Sequence, residues 1–244
     1  MEDNSKLIQS ISLSIIAAAI IISGTIIYTS SKKENVAVNN NNNQPTNLPN
    51  PNQPVKVSMD DDAVFGYKNA PLTMIEFSDY ECPFCKRHFD QVYSQIKKDY
   101  IDTGKVKLVY RDFIAVPSHN PLATSEAMSA QCAKEQGGDS AYFKFHDELF
   151  TMTTSNGNGL LLNDLPLIAS KIGLNVATFK QCLASNKYKD EIAKDQQDGS
   201  AAGVNGTPSF FIGKSTADGT IDGKIIVGAV PYNDFKVAIE ETLK

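Results

Sequence analysis

Two thiols two residues apart, Cys82-Pro83-Phe84-Cys85, are the side chains in this sequence best spaced for chemistry. An apolar, β-favouring run from Leu72 to Ser78 precedes them, and a helix-like run from Lys86 to about Ile101 follows. Cys82 therefore falls where a buried strand hands over to a helix. Pro83 suits the first helical position, where a fixed φ fits and no N–H is wanted. The free N–H groups and partial positive charge of the helix start then face the Cys82 sulfur. They favour its thiolate, which is the reactive form. Lys86 and Arg87 add positive charge one turn on, and Glu81 opposes it. Cys85 comes round one helical turn and can close a small disulfide ring with Cys82. Strand, C-x-x-C, helix is the chemical layout of a dithiol–disulfide exchanger.

The same spacing also serves as half of a zinc site, whose other half needs a second C-x-x-C or a histidine pair. Cys132 and Cys182 are far apart, and His88, His119 and His146 stand alone. His88 completes C-x-x-C-x-x-H without an evident fourth ligand, so no metal is expected. A purely structural disulfide across so small a loop gains the least chain entropy, which leaves exchange chemistry as the better reading.

The 244 residues suffice for one good-sized domain with appendages, and the four cysteines suit one active pair and one other pair. A net charge of −5 argues against general nucleic-acid binding. Residues 7–28 carry no charge. As a helix they would span about 33 Å, the hydrocarbon thickness of a bilayer. Apolar chain continues past Ser23-Gly24, so an uncleaved transmembrane anchor fits better than a cleaved signal peptide. Residues 1–6 form a short tail before it. Lys6 before the span and Lys32-Lys33 after it do not support an N-in orientation by charge. The catalytic domain is nonetheless expected outside the cytoplasm, where cysteine chemistry is at home. Residues 29–57 are rich in Asn and Pro and read as a disordered linker. Asp60-Asp61-Asp62 reads as a solvated turn rather than a cation site.

The elements that must position the thiols follow from the pattern. Lys105 to Tyr110 alternates as a strand, giving a βαβ unit with a parallel pair. A block of four helices follows, an insertion at about residues 118–200. The first runs from Asn120-Pro121 to Gly137-Gly138, and the second from about Ser140 to Phe150. The third runs from Asp164 to near Gly173, and the fourth from about Asn175 to at least Ile192. Cys132 and Cys182 lie in the first and the fourth. They are either two buried thiols or, outside the cytoplasm, a staple closing a loop of about 50 residues and worth about 4 kcal/mol. Strands return at Ser209–Ile212 and Lys224–Val227, and a helix closes the chain from Pro231 to Leu243. The order indicates an α/β fold with a mixed sheet flanked by helices.

These residues together resemble the DsbA-like thiol–disulfide oxidoreductases. The resemblance rests on Cys82-Pro83-Phe84-Cys85 after a strand bearing an acidic residue, on the helical insertion, and on Gly206-Thr207-Pro208-Ser209-Phe210-Phe211-Ile212. It covers residues 58–244 and implies a thioredoxin-like fold with an inserted helical subdomain. It also implies that Cys82 is the nucleophile and Cys85 the buried resolving thiol. Pro208 matches a cis-proline facing the disulfide, which exposes the Thr207 backbone for strand-like pairing with an extended substrate. Pro83, Phe84 and Thr207 are then the substrate-binding residues. Glu76 matches an acidic residue whose raised pKa lets it shuttle a proton to Cys85, although alternation leaves open a carboxylate on an exposed face. Phe84 stands where the strongest oxidants of the family carry a histidine that donates to the thiolate, so a weaker oxidant is expected.

The reading is a membrane-anchored, extracytoplasmic oxidoreductase that introduces disulfides into exported cysteine-containing proteins and is reoxidised by a quinone-linked membrane partner. No cofactor is expected, because the dithiol carries the two electrons. The alternatives are the same centre run as a reductase or isomerase, and a non-catalytic peptide-binding, chaperone-like module.

Overall fold

The structure is a computed structural model that describes residues 53–244. The expected tail, the transmembrane anchor at residues 7–28 and most of the linker lie outside the described residues. Among the described residues, no helix is long and apolar enough to cross a membrane.

The central strand β3 (Leu72–Ser78) is buried along its whole length. It pairs in parallel with β4 (Val106–Asp112), from Leu72 opposite Val106 to Ser78 opposite Asp112. On its other side it runs antiparallel to β5 (Ser209–Lys214). A strand with neighbours on both sides and layers on both faces must be apolar throughout, and β3 meets that requirement except at Thr73, Glu76 and Ser78. β6 (Thr220–Val227) pairs antiparallel with β5 through a turn. Two short strands finish the six-stranded sheet, in the order β1-β6-β5-β3-β4-β2. They are β1 (Val55–Ser58) at one edge and β2 (Val64–Phe65) at the other.

β1 corrects the expected linker boundary. Val55 and Val57 alternate with Lys56 and Ser58, and Val57 is buried against the sheet's second core. Four residues directly after Pro54 are too few to stand out from an Asn/Pro-rich tract.

The helix after the redox motif starts as α1 (Pro83–His88) and keeps a helical path to Ile101, with wider π turns at Phe89–Tyr93 and Lys97–Ile101. The insertion begins with α2 (Leu122–Met152), which is two helices in series. They meet at Gly138, whose φ of +65° is a conformation only glycine adopts without strain. α3 (Leu165–Lys171) and α4 (Val176–Ser185) follow, and Asn175 caps α4 by accepting the Thr178 N–H. The expected fourth helix does not run on to Ile192. Asn186 takes the left-handed conformation and ends it, and a new helix, α5 (Lys189–Ala201), follows. The insertion thus holds five helical segments rather than four. The last, α6 (Tyr232–Leu243), packs on β5.

The sheet separates two cores. On one face Leu72, Met74, Tyr110, Phe210 and Ile212 pack with α1, α6 and the insertion. On the other, Ile75, Phe77, Val109, Phe211 and Ile225 pack with Ala202 and Val204 at the end of α5. α5 is also clamped by charge. Buried Arg111 on β4 donates to Asp195 Oδ1 at 2.5 and 2.9 Å and to Asp198 Oδ2 at 2.9 Å, and lies 2.8 Å from Asp62 Oδ2. Cys132 of α2 and Cys182 of α4 form a disulfide, with their Cα atoms 5.9 Å apart.

Candidate active site

Cys82 caps the start of α1 in an extended conformation (φ −80°, ψ 122°), with Pro83 in the first turn. The N–H groups of Phe84 and Cys85 point at its sulfur. Neither cysteine is disulfide-bonded, so the pair is in its reduced state. Their acidities are driven apart. Cys82 is lowered to about 6, first by a hydrogen bond from the Cys85 thiol, then by the Thr207 side chain and the two backbone N–H groups, against the effect of burial. Cys85 is raised, chiefly by burial and then by its place next to the Cys82 sulfur. Cys82 Sγ lies 3.4 Å from the Thr207 carbonyl oxygen, and the Thr207–Pro208 peptide bond is cis. The loop before β5 therefore faces the redox pair across a narrow gap.

Around the pair, Pro83 is exposed, Phe84 is half exposed, Thr207 is half-buried and Pro208 is buried. The Arg87 guanidinium lies over the Phe84 ring, 5.0 Å from its centre, and donates to the Ala229 carbonyl at 3.1 Å. Lys86 pairs with Asp90 at 2.7 Å, so its charge is largely neutralised on the surface. Glu76 sits in mid-β3, opposite Tyr110 on β4 and Phe210 on β5. It is 3% exposed, and burial pushes its carboxyl up to about 7. It faces the α1 side of the sheet rather than solvent.

The thioredoxin family profile matches residues 58–241, three quarters of the chain. The chain belongs to the thioredoxin family. Within it, the chain is a DsbA-like thiol–disulfide oxidoreductase. It is 28% identical over 185 residues to disulfide bond formation protein D of Bacillus subtilis, covering 74% of this chain and 77% of that one. The crystal structure of Wolbachia pipientis alpha-DsbA1 superposes with a TM-score of 0.64 at 26% identity, covering 77% of this chain and 93% of that one. Oxidised BdbD of Bacillus subtilis shares the fold, with a TM-score of 0.65 at 24% identity over 79% of this chain and 99% of that one.

This member of the thioredoxin family ties its insertion to the Cys82–Cys85 motif through a network whose partners the sequence did not reveal. Glu81, next to Cys82, is fully buried. Its carboxylate accepts from Thr153 Oγ1 at 2.6 Å and from the Gly159 N–H at 2.9 Å, and its carbonyl accepts from the Asn156 N–H at 2.7 Å. The Glu81 N–H in turn donates to Asp79 Oδ1 at 2.9 Å, and Asp79 Oδ2 lies 2.6 Å from His119 Nδ1. Glu126 of α2 is buried beside Glu81 and pushed up to about 10, by burial and then by that neighbouring charge, so it stays neutral. The Glu81 carboxylate, which sequence position set against the charge at Cys82, is engaged instead by Thr153 and Gly159 of the insertion. The available signal was Asp79 and Glu81 flanking Tyr80 just before the motif. Only the fold reveals their partners, 40 to 80 residues away.

Two sets of carboxylates converge elsewhere among the described residues, Asp60-Asp61-Glu191 and Asp62-Glu191-Asp195. Arg111 and Lys194 reach into them and pair with Asp60, Asp62 and Asp195, so the chain supplies its own cations there.

Proposed function

We propose that this thiol–disulfide oxidoreductase works as an oxidase, anchored to the membrane by residues 7–28, and introduces disulfides into exported cysteine-containing proteins outside the cytoplasm. The observation that carries the reading is the placement of Cys82 at the start of α1, 3.4 Å from the Thr207 carbonyl oxygen, where hydrogen bonds lower its pKa to about 6 while burial raises that of Cys85. A stabilised Cys82 thiolate favours the reduced form of the enzyme, and so makes its disulfide a ready oxidant.

The reaction starts from the Cys82–Cys85 disulfide. A substrate thiolate attacks Cys82 Sγ, and Cys85 leaves as a thiolate and takes up a proton. The substrate is then joined to Cys82. A second substrate thiolate attacks the substrate sulfur of that mixed disulfide, and Cys82 leaves as the stabilised thiolate. The substrate loses two electrons to the enzyme. A quinone-linked membrane partner then removes them. In this scheme Cys82 is the sulfur that the substrate attacks and later the leaving thiolate, and Cys85 is the buried thiol released in the first step; run in reverse, Cys82 is the nucleophile and Cys85 the resolving thiol. Pro208 presents the Thr207 backbone to an extended substrate, Pro83 and Phe84 contact its side chains, and Glu76 supplies the proton that Cys85 needs.

Equilibration of the full chain with glutathione redox buffers tests the direction. A potential of about −120 mV supports the oxidase, one of about −180 mV an oxidant or isomerase, and one of about −270 mV makes the protein a reductase fed with electrons. The reductase is the second reading, and Phe84 favours it, because its ring cannot donate to the thiolate as a histidine would. Cys82→Ser separates both from a chaperone-like binding module, since exchange is lost and peptide binding would survive.

A further inference from the structure

Cys82 caps α1, so the chain that enters this helix decides where the sulfur stands. That chain is the turn Asp79-Tyr80-Glu81-Cys82, which follows the end of β3 at Ser78. The two backbone N–H groups nearest the sulfur both end on Asp79. Its carbonyl accepts the Cys82 N–H at 3.0 Å, and its Oδ1 accepts the Glu81 N–H at 2.9 Å. An aspartate that accepts from the N–H two residues ahead builds such a turn with its own side chain. The Cys82 carbonyl then accepts the Lys86 N–H at 3.0 Å, which opens α1.

The second carboxylate oxygen of Asp79, Oδ2, lies 2.6 Å from His119 Nδ1, and both side chains are buried. A carboxylate only accepts, so the ring hydrogen is on Nδ1. His119 ends the short helical turn Pro117–His119 that leads toward α2, and its own N–H donates to the Val116 carbonyl at 3.0 Å. The loop that holds Glu81 also lies against this turn. A side chain at Gly157 would meet the Ser118 carbonyl oxygen at 2.5 Å and His119 Cα at 3.0 Å. The imidazole is therefore a fixed post, backed by the same loop that grips the neighbouring residue. The other ionisable groups facing Asp79 are Glu81 on its own turn, Glu126 from α2 and Asp112 from β4. Burial raises the last two, and His119 is the side chain that donates to Asp79.

We propose that the His119–Asp79 pair fixes the turn that carries Cys82, and through it holds the sulfur over the start of α1. The inference rests on the reading of Cys82 as the reactive sulfur. Neither Asp79 nor His119 touches that sulfur, so both are positioning residues. With the imidazole gone, Oδ2 becomes a buried acceptor without a partner, which is costly. The carboxylate then swings to find one and lets go of the Glu81 N–H. The turn loosens and the sulfur moves off the helix start, whose field falls away within one turn. The Cys82 thiolate is then less favoured, and the Cys82–Cys85 disulfide is a weaker oxidant.

The test compares the full-length protein with His119→Leu, Asp79→Ala and the conservative variants His119→Asn and Asp79→Asn. Three quantities are read on each. They are the Cys82 acidity constant from thiolate ultraviolet absorbance against pH, with Cys82→Ser as the blank, the equilibrium constant for oxidation of glutathione by the pair, and the thermal unfolding midpoint. His119→Leu and Asp79→Ala should each lower both constants about tenfold, which for the second is about 30 mV, as one lost charge-assisted hydrogen bond implies. His119→Asn keeps a donor near Nδ1, and Asp79→Asn keeps the oxygen that accepts the Glu81 N–H, so both should stay within about threefold of wild type. If His119→Leu and Asp79→Ala lower only the unfolding midpoint and keep both constants, the pair is merely structural and the proposal is overturned. If Asp79→Ala and Asp79→Asn both raise the acidity constant, removal of a buried charge outweighs placement, and the proposal is again overturned. If the titration survives in Cys82→Ser, the reading of Cys82 fails and the proposal falls with it, a result distinct from unmoved constants in a titration that Cys82→Ser abolishes. Should one of the two deletions fail to fold, the other decides together with its conservative partner.

Discussion

At the scale of single residues, the site is a set of groups whose environments oppose their usual chemistry. Hydrogen bonds, the first of them from its own partner, favour the Cys82 thiolate, and burial favours the neutral form of Cys85. Phe84 is the place where this balance can be moved. Phe84→His offers the Cys82 sulfur a charge-assisted hydrogen bond, worth about 1.5–3 kcal/mol. That should raise the reduction potential by about 30–60 mV and lower the Cys82 pKa, read from the ultraviolet absorbance of the thiolate against pH. Glu76 carries a stability signature. Its pKa rises from 4.5 when unfolded to about 7 when folded, so the native state binds the extra proton and stability falls as pH climbs through that window. Glu76→Gln removes that loss. In chemical unfolding it should match wild type near pH 4.5 and exceed it by up to about 3 kcal/mol above pH 7. The cysteine pair and its helix start were legible in sequence because the chemistry needs that spacing. The burial of Glu76 was not, because alternation along β3 assigns a face without saying what covers it.

Between residue and whole molecule stand the elements that hold the motif still. The loop between α2 and α3 is anchored on Glu81, and Gly159 is where it comes closest. A side chain at Gly159 would collide with Thr153 Oγ1 and Glu81 Oε1 and with the Ser155 backbone. Gly159→Ala should therefore cost about 2 kcal/mol or more in unfolding experiments, since fixed hydrogen-bonded atoms and not a pliable side chain must give way. Hydrogen exchange at Asn156 and Gly159 should rise in the same variant. Helix limits at Gly138 and Asn175 could be read from glycine and cap preferences. The break at Asn186 was missed because asparagine stops helices in the left-handed conformation less often than glycine does, and only the backbone betrays the stop. β1 was missed for the opposite reason, being four residues that become a strand only because β6 offers them an edge.

For the molecule as a whole, two cross-links of different kinds hold the insertion, one to the sheet and one within itself. The Arg111 cluster fixes α5 to β4, and the Cys132–Cys182 disulfide ties α2 to α4 across 50 residues of chain. Replacing both cysteines with alanine should lower stability by about 4 kcal/mol or less, as chain entropy predicts, and leave the potential of the Cys82–Cys85 pair unchanged. A shifted potential would show that the staple also shapes the active site. The sheet's borders have a further consequence for a protein whose proposed partners are unfolded chains. Such company invites co-aggregation, which spreads most readily by adding strands to a long open edge. Here the two borders are strands of four and two residues, too short to template a growing cross-β stack. The enzyme can thus dwell beside sticky, half-made proteins without seeding their fibres or being recruited into them.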